Sequence, residues 1–259
     1  VPYKKSKELL VPLCKKLVVN AEDEWCRSVA ENSFLPITSF GVDTRNAVAF
    51  KQENEEEDEI IYKFKVKNEE IDVRMRNSGF YNGMNLAAAL ASLWTLNIPL
   101  QNIKPVTLPT GRFQQIDNLE GIKVFIDYAH TPDALEVCLT TIKSFAKNNI
   151  YVVFGCGGDR DKKKRNEMGK VATTFATKAI ITSDNPRSES PADIIKDIVR
   201  GLDVQKFQIE LDRKKAIIYA LQMAQAGDTV LIAGKGHEQE QILHDLVVPF
   251  SDRDVVNTY

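Results

Sequence analysis

Hydrophobic residues near the start of the chain recur at helical spacing. Leu9, Leu10, Leu13 and Leu17 fall on one side of an α-helix, which repeats about every 3.6 residues. This pattern predicts a helix from Tyr3 to about Leu17. The β-branched residues that follow, in the segment 17–20, predict a short buried strand that ends in a turn.

Between residues 34 and 73 the hydrophobic positions alternate with a period of two. Stretches such as IIYKFKV and IDVRMR predict antiparallel strands. The acidic segment ENEEEDE at 53–59 lies between strands, and it predicts a solvated hairpin tip rather than a cation site because its charges repel one another. The alanine-rich stretch 80–98 then predicts a helix that packs closely on a neighbour.

The pattern changes again at residues 105–111, PVTLPTG, whose two prolines and one glycine make it the best linker candidate. We therefore expect one domain at 1–107 and a second at 108–259. In the second part, strand and helix patterns alternate to the end of the chain. The fold predicted there is an α/β domain with a doubly wound parallel sheet and crossover helices. The strand patterns are KVFIDYA, IYVVFGCGG, KAIITS and DTVLIAG, and the helix patterns are DALEVCLTTIKSFA, RNEMGKVATTFA, PADIIKDIVRGL and RKKAIIYALQMA.

Composition narrows the possible functions. The chain has 259 residues, 43% of them hydrophobic and 27% charged, which is typical of a folded globular protein. Its 34 basic and 36 acidic residues give a net charge of -2, so charge offers no case for nucleic-acid binding. No run of about 18 apolar residues predicts a membrane span. Because Cys14, Cys26, Cys138 and Cys156 form no CxxC pair, we expect neither zinc nor a disulfide framework, and a reducing cytosol fits best.

Polar loops follow four of the predicted strands. In an open parallel sheet, ligands bind outside the carboxyl ends of the strands, so these loops are expected to share one edge. A functional site explains four charged loops at that edge better than four solvated connections. The loops are DYAHTPDAL, GCGGDRDKKKR, SDNPRSES and GKGHEQEQ.

The first two loops offer candidate ligand-binding groups. In the first, Thr131 or Asp133 is expected to cap the helix that follows, which leaves Asp127 and His130 available for a ligand. In the second, the glycines at 155, 157 and 158 allow backbone N–H groups to converge on an anion, and Arg160 adds a guanidinium fork for a carboxylate or phosphate. The basic run 162–165 is expected to be a solvated helix entry.

The last two loops match the charged end of an amino acid. Asp184 can accept a hydrogen bond from an ammonium, Asn185 can donate and accept, and Arg187 can hold a carboxylate with two hydrogen bonds. The alternative is that Asp184 caps a helix beside an exposed arginine. In the fourth loop, Gly234 permits close backbone approach, and Glu238 supplies a carboxylate for an ammonium. His237 fits a structural hydrogen-bonding role as well as a functional one. This loop lacks the Walker A spacing, so it is not a P-loop.

The order of these motifs resembles that of the Mur ligases, the amide-forming ligases of peptidoglycan synthesis. The resemblance covers essentially the whole chain and rests on the series TGRFQ, DYAHTPDAL, VVFGCGGDRDKKKR, DNPR, AGKGHE and SDRDVV. It implies that 1–107 corresponds to the C-terminal part of the family's central ATPase domain and 108–259 to its Rossmann-like, amino-acid-binding C-terminal domain. The sequence contains neither the family's UDP-binding domain nor its P-loop, and its last helix ends early, so we expect this chain alone to be inactive in ligation.

The resemblance implies an ATP-dependent reaction with Mg²⁺ in which a carboxylate is activated as an acyl phosphate and an amine attacks it. The motifs are most similar to those of enzymes that extend UDP-N-acetylmuramoyl-L-alanyl-D-glutamate with meso-diaminopimelate. A monomer without nucleic-acid partners or membrane insertion is expected. The residues implied are Lys7 as a carbamoylated, catalytic magnesium ligand; Asn82, Asn85, Arg112 and Asp127 at ATP; His130 as a catalytic assistant; and Arg160, Asp184, Asn185, Arg187, Gly234 and Glu238 at the amino acid.

Alternatives remain for each of these roles. Lys7 also fits a solvent-facing helix lysine, and Asn82 and Asn85 also fit helix capping. The whole chain could be a non-catalytic scaffold or binding protein of the same family, or it could belong to the L-lysine-adding ligases or to a relative such as folylpolyglutamate synthetase. The DNPR loop argues against the L-lysine-adding ligases because lysine lacks the second carboxylate that Arg187 would hold. It also argues against folylpolyglutamate synthetase, which is not expected to contain this loop.

Overall fold

A computed structural model describes residues 2–54, 59–67, 69–76, 79–100, 108–116 and 121–259. The chain forms two compact units, Val1–Thr107 and Leu108–Tyr259. Residues 105–107 of the predicted linker lie outside the described residues, and so do residues 55–58 at the predicted hairpin tip.

The first unit contains one five-stranded sheet in the order β1-β2-β3-β4-β5. Strands β3, β4 and β5 are antiparallel, as predicted, but β2 pairs in parallel with both β1 and β3. The prediction of antiparallel strands from residue 34 was therefore wrong for β2. Helix α2, which the pattern analysis did not identify, returns the chain to the same end of the sheet between β1 and β2, and this makes the pair parallel. The bounds are β1 Leu17–Asn20, α2 Glu24–Glu31, β2 Ile37–Gly41, β3 Val48–Asn54, β4 Glu59–Val66 and β5 Glu69–Arg76.

The first helix is shorter than its hydrophobic pattern predicted. Helix α1 spans Pro2–Glu8, and a separate 3-10 turn follows at Val11–Leu13. Pro12 accounts for the difference, because a proline inside a helix lacks the N–H and clashes with the preceding turn. The leucines of the pattern bury no common face, since Leu9 is 73% and Leu13 81% exposed. The strand predicted directly afterwards is confirmed as β1.

The alanine-rich helix packs closely on its sheet, as predicted. Helix α3 spans Phe80–Thr95, and its buried residues include Leu90 and Ala91. A side chain at Gly83 would overlap the ring of Phe50 and approach that of Tyr62 to 2.8 Å. The absence of a side chain at this position therefore sets how close the helix lies to β3 and β4.

The second unit has the predicted α/β fold, with a six-stranded sheet in the order β10-β9-β8-β11-β7-β6. Five strands are parallel, and β6 joins the edge antiparallel to β7. Neither β6 nor the short β10 was predicted, and neither was the β12–β13 hairpin. The strand bounds are β6 Gln114–Ile116, β7 Lys123–Asp127, β8 Ile150–Phe154, β9 Lys178–Ile181, β10 Phe207–Ile209, β11 Thr229–Ala233, β12 Glu240–Leu243 and β13 Leu246–Pro249.

Helices cover both faces of this sheet. Strands β7, β8, β9 and β10 follow one another in one direction across the sheet, and β11 then lies back between β7 and β8. Because crossovers between parallel strands are right-handed, this reversal places α7 on the face opposite α4, α5 and α6. Helices α7 and α8 cover a core that includes Val153, Ile217 and Val256.

Thr131 caps α4, accepting a hydrogen bond from the Ala134 N–H at 3.3 Å. The helix bounds are α4 Pro132–Lys143, α5 Lys163–Phe175, α6 Pro191–Val199, α7 Arg213–Met223 and α8 Asp252–Thr258. Across the described ranges, no helix is long and apolar enough to cross a membrane.

A fully buried ion pair joins α7 to α8. Arg213 donates from Nε and Nη2 to the two carboxylate oxygens of Asp252 at 2.7 and 2.8 Å, and Nη2 also donates to the Ala233 carbonyl at 3.0 Å. Both side chains have 0% exposure. Removal of one partner would leave a buried charge without compensation.

We expect Asp252→Ala to lower the free energy of unfolding by about 3–5 kcal/mol, because Arg213 would remain buried without its carboxylate. Asp193→Ala is the matched control, since Asp193 pairs with Lys196 at the surface, and its cost is expected to stay below about 1 kcal/mol. Urea denaturation followed by circular dichroism measures both. A loss below about 1 kcal/mol for Asp252→Ala would contradict the role given to the pair.

Candidate functional site

The structure brings together the loops that follow β7, β8, β9 and β11. The Gly158 N–H donates to the Asn185 carbonyl at 2.9 Å, which joins the second loop to the third. Asn185 Nδ2 donates to Glu238 Oε2 at 2.9 Å, which joins the third to the fourth. The Gly234 N–H donates to the Asp127 carbonyl at 3.1 Å, which joins the fourth to the first. The predicted edge of the sheet is therefore one connected surface.

Asp184 is a buried carboxylate at the centre of this surface. It is 8% exposed, and within the described part of the chain no donor makes a hydrogen bond to its carboxylate oxygens. Burial raises the pKa of Asp184, and the positive charges of Arg213 and Lys235 oppose this effect. The alternative that Asp184 caps a helix was wrong, because the residue preceding α6 is Ser190.

Gly234 makes room for that carboxylate. A Cβ atom at Gly234 would lie 2.6 Å from Asp184 Oδ2, and the glycine has φ +114, which other residues rarely adopt. The close approach predicted for Gly234 is thus a contact with the protein's own carboxylate.

Asn185 uses its side-chain amide to hold the loops together. Its Oδ1 accepts from Lys235 Nζ and from the Ile242 N–H, both at 3.0 Å, while Nδ2 donates to Glu238. The sequence suggested that this amide would both donate to and accept from a ligand. In the structure its oxygen and one of its N–H groups are occupied by protein atoms, so its main effect is to fix the orientation of its neighbours.

Glu238 presents one carboxylate oxygen to the site. Its Oε2 accepts from Asn185 Nδ2 and, at 3.1 Å, from Lys235 Nζ. Among the residues that the structure describes, Oε1 has no hydrogen-bond donor. Together with Asp184, Glu238 therefore offers carboxylate oxygens to a cationic group.

Arg187 is held at both its main chain and its side chain. Its φ is 51°, in the left-handed region, and its N–H and carbonyl bond to Ile242 and His244 of the β12–β13 hairpin. Nη1 donates to the Gly158 carbonyl at 2.9 Å. For Nε and Nη2, the described ranges contain no hydrogen-bond partner, so these two donors remain for a ligand.

The glycine loop packs tightly against the DNPR loop. A side chain at Gly158 would overlap the Pro186 carbonyl oxygen, and the Gly158 N–H is already bonded to Asn185. The prediction that this N–H helps to form an anion cradle was therefore wrong. Arg160 is exposed, and its one hydrogen bond in the described residues is to the neighbouring Asp159 carbonyl at 3.4 Å.

A buried arginine connects these two loops to the helices beneath them. Arg165 is 1% exposed, so the prediction that the whole basic run 162–165 is solvated was wrong at this residue. It pairs with Glu189 at 2.8 Å and with Asp197 at 2.9 Å. Its hydrogen bonds, with contributions from the Asp159 N–H and Lys162, lower the pKa of Glu189 to about 2.

A second cluster surrounds Tyr128 in the first loop. The guanidinium of Arg112 lies 4.7 Å from the centre of the Tyr128 ring, within range of a cation–π contact. The rings of His130 and His237 lie 4.7 and 5.6 Å from it. Arg112 and His130, predicted separately from the sequence, therefore share one aromatic neighbour.

Asp127 supports the turn that carries Arg112. Its carboxylate accepts from the Phe113 N–H at 2.6 Å and from the Ala129 N–H at 2.7 Å. Burial raises the pKa of Asp127, although these hydrogen bonds, the Cys138 thiol and the Arg112 charge oppose the increase.

The predicted site residues of the first unit lie on α1 and α3. Lys7 is exposed on α1, with its ammonium 5.3 Å from the centre of the Tyr3 ring. Asn82 is buried and Asn85 exposed on α3. Within the described ranges no three His, Cys, Asp or Glu residues gather as a metal site, so Lys7 has no such set of protein ligands around it there. Its carbamoylation stays a prediction.

Comparison with known proteins gives the family. Residues 2–93 match the Mur ligase middle domain, and residues 111–236 match the Mur ligase glutamate ligase domain. The chain belongs to the Mur ligase family.

Its relatives include two proteins named UDP-N-acetylmuramoyl-L-alanyl-D-glutamate–2,6-diaminopimelate ligase. The one from Bacillus cereus is 39% identical over 93% of this chain and 50% of its own length. The one from Clostridium perfringens is 48% identical over 74% of this chain and 41% of its own length. A solved structure with the same name covers 99% of this chain and 55% of the other, with 31% identity and a TM-score of 0.60. The chain thus spans about half the length of the curated relatives it matches.

Two elements of the site in this Mur ligase chain were not predicted from the sequence. Lys235 was considered only in rejecting a P-loop, yet its position between two glycines in AGKGHE was the available signal. The β12–β13 hairpin was not predicted. It contributes the Ile242 backbone and the Gln241 side chain, whose Nε2 donates to the Asp184 carbonyl at 2.6 Å.

The packing of Gly158 can be tested by a single added methyl group. We expect Gly158→Ala to cost about 2–3 kcal/mol in urea unfolding, because its Cβ would overlap the Pro186 carbonyl. It should also move the amide resonances of 183–187. The control is Gly201→Ala, at φ +72 with no atom within 4 Å, which should cost about 1 kcal/mol and leave those resonances in place. If the two variants shifted the same amides, the loop contact would not be specific.

Proposed function

We propose that this chain works in the ATP-dependent addition of meso-diaminopimelate to UDP-N-acetylmuramoyl-L-alanyl-D-glutamate in peptidoglycan synthesis. The relatives bear the name of that ligase, and its incoming substrate has two amino groups and two carboxylates. The observation that carries the proposal is that the connected loops contain the Asp184 and Glu238 carboxylates together with the Arg187 guanidinium, whose Nε and Nη2 have no protein partner in the described residues.

These groups are complementary to one zwitterionic end of a diamino acid. Its ammonium would lie between Asp184 and Glu238, and its carboxylate would accept from Arg187 in a bidentate contact. Arg160, exposed beside the DNPR loop, would contact the same carboxylate or the second one. L-lysine has one zwitterionic end, at its α-carbon, and only an amine at its distal end, so with its α-amine left free to react it could not use both halves of this site.

The same arrangement would determine which amine reacts. An ammonium held between two carboxylates is stabilised in its protonated form and has no lone pair for attack. The amine at the other end of meso-diaminopimelate is therefore the nucleophile, and the site positions it by gripping the distal end. Selection of the substrate and alignment of the reaction would thus come from the same contacts.

The proposed ATP contacts are assigned within each unit by itself. Arg112, placed over Tyr128, would contact phosphate, while Asp127 would contact the ribose and Asn82 and Asn85 the adenine. Arg112 fits a polyphosphate because its guanidinium is exposed. The Asp127 carboxylate already accepts two backbone N–H groups, so a ribose hydroxyl would have to share its oxygens.

His130 is the proposed assistant in proton transfer. Its Nδ1 lies 2.8 Å from the Tyr128 carbonyl, which can only accept, so Nδ1 carries the proton and Nε2 of the neutral ring has a free lone pair. Lys7 is proposed as a carbamate that would help to hold Mg²⁺, whose preferred ligands are oxygen atoms. The ion would screen negative phosphate charge during transfer of the phosphoryl group.

Direct binding tests the amino-acid site. In calorimetric titration of this chain, we expect binding of meso-diaminopimelate and at least about tenfold weaker binding of L-lysine. Arg187→Met removes the guanidinium and should reduce binding of meso-diaminopimelate by at least about tenfold while leaving that of L-lysine unchanged. Lys196→Met, an exposed lysine on α6, is the control and should change neither.

The scaffold hypothesis gives a different result. A non-catalytic family member has no need of a working amino-acid site, so wild-type chain that is folded but binds neither amino acid would favour it. If Arg187→Met lost affinity for both amino acids by the same factor, the arginine would support the loop rather than select a carboxylate.

A further inference from the structure

Lys235 is buried at the base of the proposed amino-acid site. Its side chain has 0% exposure, although lysine is among the residues least often found fully buried. Gly234 and Gly236 on either side have φ values of 114° and 56°, in the range that favours glycine. The backbone on both sides therefore adopts a conformation that turns this lysine inward.

The ammonium of Lys235 bonds to two groups of the site at once. Nζ lies 3.0 Å from Asn185 Oδ1 and 3.1 Å from Glu238 Oε2. The Ile242 N–H donates to the same Asn185 oxygen, so two donors define which end of the amide points to them. Asn185 Nδ2 must then point to Glu238. As a result, Glu238 Oε2 is held by two donors while Oε1 is left for a ligand.

Lys235 also balances charge around Asp184. The largest charge effects on Asp184 come from the cations Arg213 and Lys235 and from the carboxylates of Glu238 and Asp252; the buried Cys156 thiol also interacts with it. With Asp184 and these four charged groups ionised, the five together have one excess negative charge, which a single ammonium would neutralise. Arg213 forms its ion pair with Asp252, so of these two cations it is Lys235 that contacts the Glu238 carboxylate.

We propose that Lys235 is a positioning residue that orients Asn185 and Glu238 and keeps the carboxylates of the site ready for the ammonium of the incoming diamino acid. This rests on the proposed function, because the ligand is the amino acid assigned there. Lys235 does not contact the reacting atoms. Its effect reaches the substrate through Glu238 and Asp184.

The test compares Lys235→Met with wild type in the full chain, by calorimetric titration with meso-diaminopimelate from pH 6 to pH 9. At neutral pH we expect affinity to fall by at least about tenfold. The loss should shrink as pH rises, because without Lys235 the pKa of Asp184 increases, and its carboxylate must lose a proton before it can accept from an ammonium. Lys235→Arg keeps the charge and should retain the wild-type pH profile even if its affinity is lower.

Lys178→Met is the matched control. This lysine lies at the start of β9, at the opposite end of the strand from the DNPR loop, and donates to the Gln205 carbonyl at 3.3 Å. Its loss should change neither affinity nor pH profile. If Lys235→Met bound as wild type, the positioning role would be overturned. A loss of affinity by the same factor at every pH would overturn the claim that the Lys235 charge keeps the Asp184 carboxylate ready for the ligand.

A ligand-free measurement separates this proposal from the proposed function. The carboxylate carbon of Asp184 can be followed by ¹³C NMR during a pH titration, and its midpoint should move upward in Lys235→Met. If wild type did not bind meso-diaminopimelate but this shift occurred, the proposed function would fail while the electrostatic role of Lys235 held. An unchanged midpoint would overturn that role. Should Lys235→Met not fold, Lys235→Gln, which keeps a donor but no charge, replaces it in both experiments.

Discussion

Burial of Asp184 in the loop after β9 is the constraint on which the candidate site depends. A carboxylate removed from water is unfavourable unless charges or hydrogen bonds compensate it. Here its carboxylate oxygens have no donor among the described residues, and compensation comes from two buried cations, Arg213 and Lys235. Each of these is fixed by its own carboxylate, Asp252 or Glu238. The loops after β9 and β11 and the helices α7 and α8 are thus joined by one set of charges.

This arrangement contributes more to the geometry of the site than to the stability of the unit. Buried ion pairs contribute little net stability compared with well-packed apolar residues, because desolvation offsets most of the attraction. They do restrict where each group can lie, since any displacement leaves a charge unpaired. Asn185 adds to this restriction, because its amide oxygen accepts from both Lys235 and the hairpin backbone. The site is therefore organised before a ligand arrives, which reduces the conformational cost of binding.

The sequence predicted the edge of the sheet well because that edge follows from chain order. Alternating strands and helices force a parallel sheet, and a parallel sheet brings its carboxyl ends together, so Asp127, Asp184 and Glu238 could be grouped without coordinates. The contacts of Lys235 and Arg165 could not be obtained in this way. Each depends on a partner that folding brings close: Asn185 is 50 residues from Lys235, and Glu189 is 24 residues from Arg165. Lysine and arginine in polar loops are usually exposed, so local pattern alone gives the wrong burial.

The errors in the first unit have a different origin. Helical spacing of leucines predicted a long α1, but spacing records which positions could share a face and does not weigh the cost of Pro12 inside the helix. Alternation in β2 correctly indicated a strand but carries no information about its direction, which the intervening α2 determines. Periodicity therefore identified the type of element more reliably than its ends or its pairing.

The glycines show how one sequence signal can have two structural meanings. A glycine-rich turn after a strand fits an anion site, because exposed backbone N–H groups can converge there. It equally fits two segments of backbone that must pass very close to each other. Gly158 and Gly234 are of the second kind: one lies against Pro186 and the other against Asp184. Their effect on a ligand would be indirect, because each sets how closely its own loop packs against the segment that carries Asp184 and Arg187.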